Sequence, residues 1–382
     1  MTNEAPRPPD FRLRFLLEPE YLGRKLREIR SFDDFLGRTI NLVRYGRGLL
    51  AGVRRGKAST PAAAFSAEIR RPETPARTAA LAEQFSAARP FKHLVIDDFF
   101  LPEFCRRLSA EFPAYDGALF YDEQQRPGMA RHEGIAGLGP AYAELDRCLQ
   151  SSEFLELVSR ITGIPGLQCD ADYAGGGTHE YLEGMELDPH VDFTLHPKSG
   201  LIRRVNLILH LNPEWDESWG GALELHLDPR LPPARNAVRT ILPLFNRCVI
   251  FETGDRSWYG FEAVKPPPGK KGLSRRSIAA SFYTREDRRG ILPIPRDLAV
   301  FADRPLPPEI KPGRTLTEED MRLISRRIAA RDWKLEYLYR RAIGLFNQWR
   351  AVKEELEKTR PAPAAAASPE TAPSEGRGAK SP

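Results

Sequence analysis

The stretch "DPHVDFTLH", residues 188–196, holds His190, Asp192 and His196 within seven positions. Alternate residues of a strand share a face, so His190 and Asp192 can be presented side by side from one rigid segment. An imidazole beside a carboxylate is the start of a metal site. A non-haem iron centre asks for two histidines and one carboxylate, with coordination positions left open. The question is then where a third ligand would come from. The seven histidines are His93, His132, His179, His190, His196, His210 and His226, and none follows His226. His196 reads as a loop residue. His179 and His226 read as strand residues, one beside the pocket and one packed. A His-x-Asp pair taken alone is weak evidence for a metal.

The pair does not stand alone. "GGGTHEYL" (175–182) precedes it, and "RRVNLILHLNPEW" (203–215), "WGGALELHLD" (219–228), "FNRCVIFETGDRSWYGFEAV" (245–264) and "RRSIAASFYT" (275–284) follow. This ordered series resembles the prolyl 4-hydroxylase-like family of 2-oxoglutarate/Fe(II) dioxygenases, over about residues 90–285. The resemblance implies a mainly β fold with flanking helices, a double-stranded β-helix or jelly roll. It implies Fe(II) as cofactor and 2-oxoglutarate as co-substrate, with ascorbate as an optional addition. It implies hydroxylation of a small-molecule or peptidyl substrate, coupled to decarboxylation of 2-oxoglutarate to succinate. His190 and Asp192 match the first two iron ligands. Arg276, seven residues before Tyr283, matches the basic partner of the distal 2-oxoglutarate carboxylate, a task that suits a forked guanidinium. His210, standing before "LN", is a second candidate donor to the co-substrate. Gly220 and Gly221 suit a tight turn.

One position departs from the family. Its third ligand is a histidine in a setting like S-x-H-G, and here the segment reads "SWYGF", with Tyr259 in the slot. Three readings are open. Tyr259 ligates as a phenolate, against its ordinary pKa near 10. Water completes a two-ligand centre. Or iron has been lost and the domain is a catalytically degenerate binding or scaffold module. Glu262 and Asp255 lie near in sequence, without a motif to support them.

The elements that must position these residues follow from periodicity. "RPFKHLVIDDFF" (89–100) contains an apolar strand, "LPEFCRRLSAEF" a helix with Pro near its start, and two helices follow at about 140–149 and 151–161. Strands are expected at 169–173, 179–183, 187–193, 201–211, 221–227, 238–243, 246–252, 258–264 and 274–284. "TEED" (317–320) opens a long helix to about residue 359. The expected domains are 1–55, a basic helical extension; 56–88, a linker; 89–290, the jelly roll; 291–360, a helical extension; and 361–382, a disordered tail.

The chain has 382 residues and a net charge of +5, with 41% hydrophobic and 29% charged residues. Residues 1–57 carry 13 Lys and Arg against 7 Asp and Glu. Such a segment suits peripheral contact with an anionic membrane. No nucleic-acid module accompanies the charge, so no specific nucleic-acid partner is expected. Neither a membrane span nor a secretory signal is legible, and Cys105, Cys148, Cys169 and Cys248 form no CxxC pair. Free thiols in the cytoplasm are the expectation.

Overall fold

The computed structural model describes residues 69–70, 73–114, 129–270, 272–285, 298–307 and 309–358. The basic extension, the start of the linker and the C-terminal tail lie outside them. The elements are α1 (Pro75–Ala87), β1 (His93–Ile96), α2 (Pro102–Ala110), β2 (Met129–His132), α3 (Pro140–Gln150), α4 (Ser152–Thr162), β3 (Gln168–Cys169), β4 (Gly177–Tyr181), β5 (Leu187–Val191), β6 (Ile202–His210), β7 (Leu223–His226), β8 (Val238–Ile241), β9 (Cys248–Glu252), β10 (Trp258–Phe261), β11 (Arg275–Thr284), β12 (Val300–Phe301) and α5 (Glu318–Lys358).

The strands form two antiparallel sheets. The larger runs β1-β9-β6-β11-β4-β2, with β3 also on β11, and the smaller runs β12-β5-β10-β7-β8. From β4 onward the chain passes to the other sheet at nearly every step. β4, β6, β9 and β11 lie in one sheet, and β5, β7, β8 and β10 in the other. That alternation is the double-stranded β-helix expected from the sequence.

Helices cover the outer face of the larger sheet. Leu145, Phe154, Val158 and Ile161 meet Val205, Leu207, Leu209, Ile278, Ala280 and Phe282 in one buried core. Burying each such side chain contributes roughly 1.5–3 kcal/mol. Helix α4 has apolar residues at Phe154, Leu157, Val158 and Ile161, spaced to share one face. The Ser151 hydroxyl caps its start by accepting from the Phe154 N–H, and Gly163 ends it in the left-handed region at φ 71°. Between the sheets lies a second apolar cluster, Ile208, Leu223, Leu225, Val249 and Phe251, with Tyr259 and Ala279 packed against it.

The expected linker is shorter than residues 56–88. Thr74 caps α1 through its side chain, and Leu81 and Phe85 are buried in the helix-side core. Upstream, the buried Arg70 donates from Nε to the Phe99 carbonyl at 3.0 Å. The Ala, Pro and Thr content that reads as linker is here a Pro-started helix whose three buried residues recur at helical spacing. Strand β12, also unexpected, pairs with β5. The start of α5 is as expected: the Asp320 N–H donates to Thr317 Oγ1 and the Thr317 N–H to Asp320 Oδ2, a reciprocal cap. The chain divides into two compact units, 1–337 and 338–382, and the described part of the second is the distal portion of α5. No described helix is long and apolar enough to cross a membrane. All four cysteines are free.

Candidate metal and co-substrate site

His190 is buried near the end of β5. Its Nδ1 lies 3.0 Å from the Asp188 carbonyl, which can only accept, so Nδ1 carries the proton. Burial holds the imidazole pKa below its ordinary value, even though Asp192 opposes the shift. The lone pair on Nε2 therefore faces Asp192 Oδ1, 3.6 Å away. Two acceptors at that separation lack a proton to share and suit a cation between them. The pair legible in the sequence is thus assembled.

Tyr259 is the register partner of His190 on β10, and their ring centroids are 4.3 Å apart. The motif order therefore leads to the right place. Its hydroxyl lies 3.0 Å from each oxygen of Asp192 and donates to that carboxylate. Burial first, then the Asp192 charge, pushes the phenol well above its ordinary pKa. Tyr259 is a neutral donor to one ligand, and the phenolate reading has no support in this geometry.

Asp192 has two further partners. Asn206 Nδ2 donates to Oδ2 at 2.6 Å, and Arg203 Nη1 lies 3.0 Å from the same oxygen. Burial alone would raise the carboxyl pKa, but Arg203, His190, Asn206 and Tyr259 outweigh it and keep the group ionised. Arg203 reaches this position through a fault in the ladder. On β6, Val205 pairs with Phe282 but Arg203 pairs with Tyr283, so Arg204 is the extra residue of a bulge. Strict alternation would turn Arg203 outward with Val205. The bulge turns it inward, against Asp192.

The expected co-substrate arginine requires correction. On β11, Ile278, Ala280 and Phe282 face the helix-side core, and Arg276 shares their parity. Its Nε pairs with Glu180 Oε1 at 2.9 Å, and its guanidinium lies 5.1 Å from the Phe112 ring centroid. Counting seven back from Tyr283 crosses an odd number of residues, which changes face. Arg275 is the inward arginine and is 3% exposed. Its Nε donates to the Gly221 carbonyl at 2.6 Å, and its guanidinium lies over the Phe261 ring at 4.2 Å. Burial pushes its pKa down to about 10, and no carboxylate pairs with it among the described residues. Gly221, at φ 66°, makes the approach possible: a Cβ there would lie 3.3 Å from Arg275 Cδ.

His210 lies close by. It is fully buried, and neither ring nitrogen has a hydrogen-bond partner. Burial, with Arg275 and Arg247 nearby, holds it neutral. Ser277 pairs in register with both His210 and His179, so the three form one rung across the inward face. His179 Nε2 is also without a partner, and burial drives the His179 pKa down to about 3. Inside the barrel, a guanidinium without a carboxylate partner and orphaned imidazole nitrogens fit a carboxylate ligand. His196, as expected, is no part of this site. It accepts at Nδ1 from the Lys198 and Ser199 N–H groups, and its Nε2 lies 3.1 Å from Asp170. Asp170, Asp172 and His196 form a cluster of metal-binding residue types, closed by these bonds and by the Lys198–Asp172 pair.

Residues 176–284 match the family described as the 2OG-Fe(II) oxygenase superfamily. The match runs from β4 to the end of β11. Mouse prolyl 3-hydroxylase OGFOD1 is 30% identical over 132 residues, 30% of this chain. The match spans 23% of that relative's length. Among solved structures, a Pseudomonas putida prolyl-4-hydroxylase is 16% identical, with a TM-score of 0.36 over 55% of this chain and 94% of its own. An oxidoreductase of the 2OG-Fe(II) oxygenase family from Burkholderia pseudomallei gives 15% and 0.36 over 60% and 99%. All the inward residues described here lie within the stretch that matches the superfamily. Arg203 and Asn206 were not anticipated from the sequence. Strand alternation counted from Tyr283 selects Arg275, not Arg276, for the inward face.

Proposed function

We propose that this protein is a 2-oxoglutarate-dependent Fe(II) oxygenase that hydroxylates a peptidyl or small-molecule substrate. One observation carries the reading: the acceptor pair of His190 and Asp192 faces the same barrel interior as Arg275, which has no carboxylate partner among the described residues, and the orphaned nitrogens of His210. The first pair suits a divalent cation and the second a carboxylate. Bound iron would supply oxygen activation coupled to decarboxylation of 2-oxoglutarate. The chain's own residues would hold the parts in place. Asp188 fixes the His190 tautomer, Tyr259 and Asn206 orient Asp192, and Gly221 steadies Arg275. The apolar wall of Ile208, Leu225 and Phe251 would exclude water. A peptidyl substrate is supported by the mouse relative, a prolyl 3-hydroxylase by name. The cytoplasm, with residues 1–57 touching an anionic membrane, is the setting we favour, in keeping with the four free cysteines.

A second reading has its own support. Both Asp192 oxygens already accept from protein donors, as expected for a binding module that has given up iron. Succinate formation separates the two. Purified protein given Fe(II), 2-oxoglutarate and oxygen should release succinate, seen by NMR, even without a substrate. Release should stop in the Asp192→Ala variant. Succinate at the background rate, from protein shown to bind both metal and 2-oxoglutarate, would favour the binding module.

A further inference from the structure

The charge count around Asp192 leads beyond this reading and rests on it. His190 contributes no charge, because its Nδ1–H is committed to Asp188 and its Nε2 is the ligand atom. Tyr259 contributes none. Asp192 brings one negative charge and Arg203 one positive charge, 3.0 Å from Oδ2, the oxygen opposite the one that faces His190. Asp192 and Arg203 therefore cancel at this position. A divalent cation between His190 and Asp192 would leave two positive charges uncompensated in a buried space. Without the arginine it would leave one.

Arg203 cannot simply withdraw. It is 2% exposed and all three of its nitrogens are committed. Nη1 meets Asp192, Nη2 donates to the Ala174 carbonyl at 3.0 Å, and Nε donates to the Tyr283 hydroxyl at 3.0 Å. Its guanidinium also lies 4.0 Å from the Phe193 ring centroid. The bulge at Arg204 fixes its direction in the backbone. A metal at this site meets a permanent cation across a single carboxylate.

We infer that Arg203 makes metal binding conditional on an anionic co-ligand: the metal is held weakly alone and tightly only with 2-oxoglutarate, whose carboxylate at the metal offsets one of those two charges while its distal carboxylate pairs with Arg275. Coupling of this kind is reciprocal, so 2-oxoglutarate should also bind weakly without metal. The arrangement keeps free iron out of the barrel until co-substrate is available, and it replaces the affinity that a third histidine would otherwise supply.

The test is a calorimetric titration of the full chain with Mn(II), with and without 2-oxoglutarate and in the absence of oxygen. In wild type, 2-oxoglutarate should tighten Mn(II) at least tenfold. In Arg203→Gln, Mn(II) alone should bind at least tenfold tighter than to wild type, and the gain from 2-oxoglutarate should shrink to a few-fold. Asn206→Asp adds a carboxylate at constant volume beside the same oxygen, and it should act in the same direction. It carries the test if Arg203→Gln proves misfolded by circular dichroism. Equal Mn(II) affinity with and without 2-oxoglutarate in wild type overturns the inference, as do folded variants that match wild type. His190→Ala separates the two levels. If Mn(II) binds as well to that variant, or to no protein under any condition, the metal pair itself is wrong and the inference falls with it.

Discussion

The Tyr259 hydroxyl sits 3.0 Å from both oxygens of Asp192, and it occupies the strand position where the family's pattern has a histidine. The tyrosine therefore holds the Asp192 carboxylate, and would act on a metal there only through it. Tyr259→His puts a nitrogen donor beside His190 and removes the phenol. Fe(II) affinity should rise at least tenfold, about 1.4 kcal/mol, by anaerobic calorimetry. Wild type loaded with Fe(III) should show no phenolate charge-transfer band. A strong visible band would restore Tyr259 as a ligand.

Arg275 and Arg276 are neighbours with separate tasks. Arg275→Ala should weaken 2-oxoglutarate binding by about 1.5–3 kcal/mol, the range for a hydrogen bond to a charged group. Arg276→Ala should leave that affinity within about twofold. Its cost should fall on stability, because Glu180 is buried and loses its cation. Calorimetry and urea unfolding on both variants decide the matter, and a reversed pattern would return the co-substrate role to Arg276.

The buried histidines give a pH signature. His179, His190 and His210 all have folded pKa values below the ordinary 6.5, His179 at about 3. Below 6.5 the unfolded chain takes up protons that the folded chain refuses, so stability falls as pH drops. The slope approaches about 1.4 kcal/mol per pH unit for each such histidine. The loss should begin near pH 6.5, and below about pH 5 carboxylates with a depressed folded pKa, such as Asp192, add to it. Urea unfolding at pH 7 and pH 5 measures it, and His179→Gln should flatten the slope. Equal stability at the two pH values would count against neutral burial.

Helix α1 sets where the fold begins. Phe85 is 1% exposed in the helix-side core, so Phe85→Ala should cost about 3–5 kcal/mol. A chain beginning at residue 68 should unfold cooperatively on heating, while one beginning at residue 89 should not. A cooperative transition of unchanged midpoint in the shorter chain would make α1 dispensable.

The basic segment 1–57 should bring the protein down with phosphatidylserine vesicles at low salt, and binding should fade as salt rises. Removing residues 1–57 should abolish it. Soluble protein at the lowest salt would retire the membrane contact.

Much of the architecture was legible because burial writes itself into period and punctuation. Each of the nine expected strands from 169 onward coincides with an observed one to within a few residues, and Gly or Pro marks most of their ends. His190 and Asp192 were legible as a pair because alternate residues of a strand share a face. Two kinds of information were not. The first is parity: a count of seven placed Arg276 on the inward face, although Ile278, Ala280 and Phe282 are the apolar set that faces the helices. The second is the bulge at Arg204. No residue type at Arg203 or Val205 announces an extra position in the ladder, so an arginine beside Asp192 could come only from the three-dimensional register. α1 and β12 were missed because each depends on a distant surface to receive it.

The orientation of the His190 imidazole is not a local property of its own motif. Phe301 of β12 pairs with His190 and stacks on it, with centroids 5.0 Å apart and planes 22° from parallel. Lys334 of α5 reaches Asp188 Oδ2 at 2.8 Å, gripping the residue whose carbonyl sets the His190 tautomer. Both lie beyond residue 284, where the match to the superfamily ends. The shared domain thus borrows its alignment from a tail the family pattern leaves out. A transplant cut at those boundaries would carry His190 and Asp192 and lose the contacts that orient them. Conversely, substitutions at Phe301 or Lys334, far from any motif, are the places where the His190–Asp192 pair could be retuned without changing either residue.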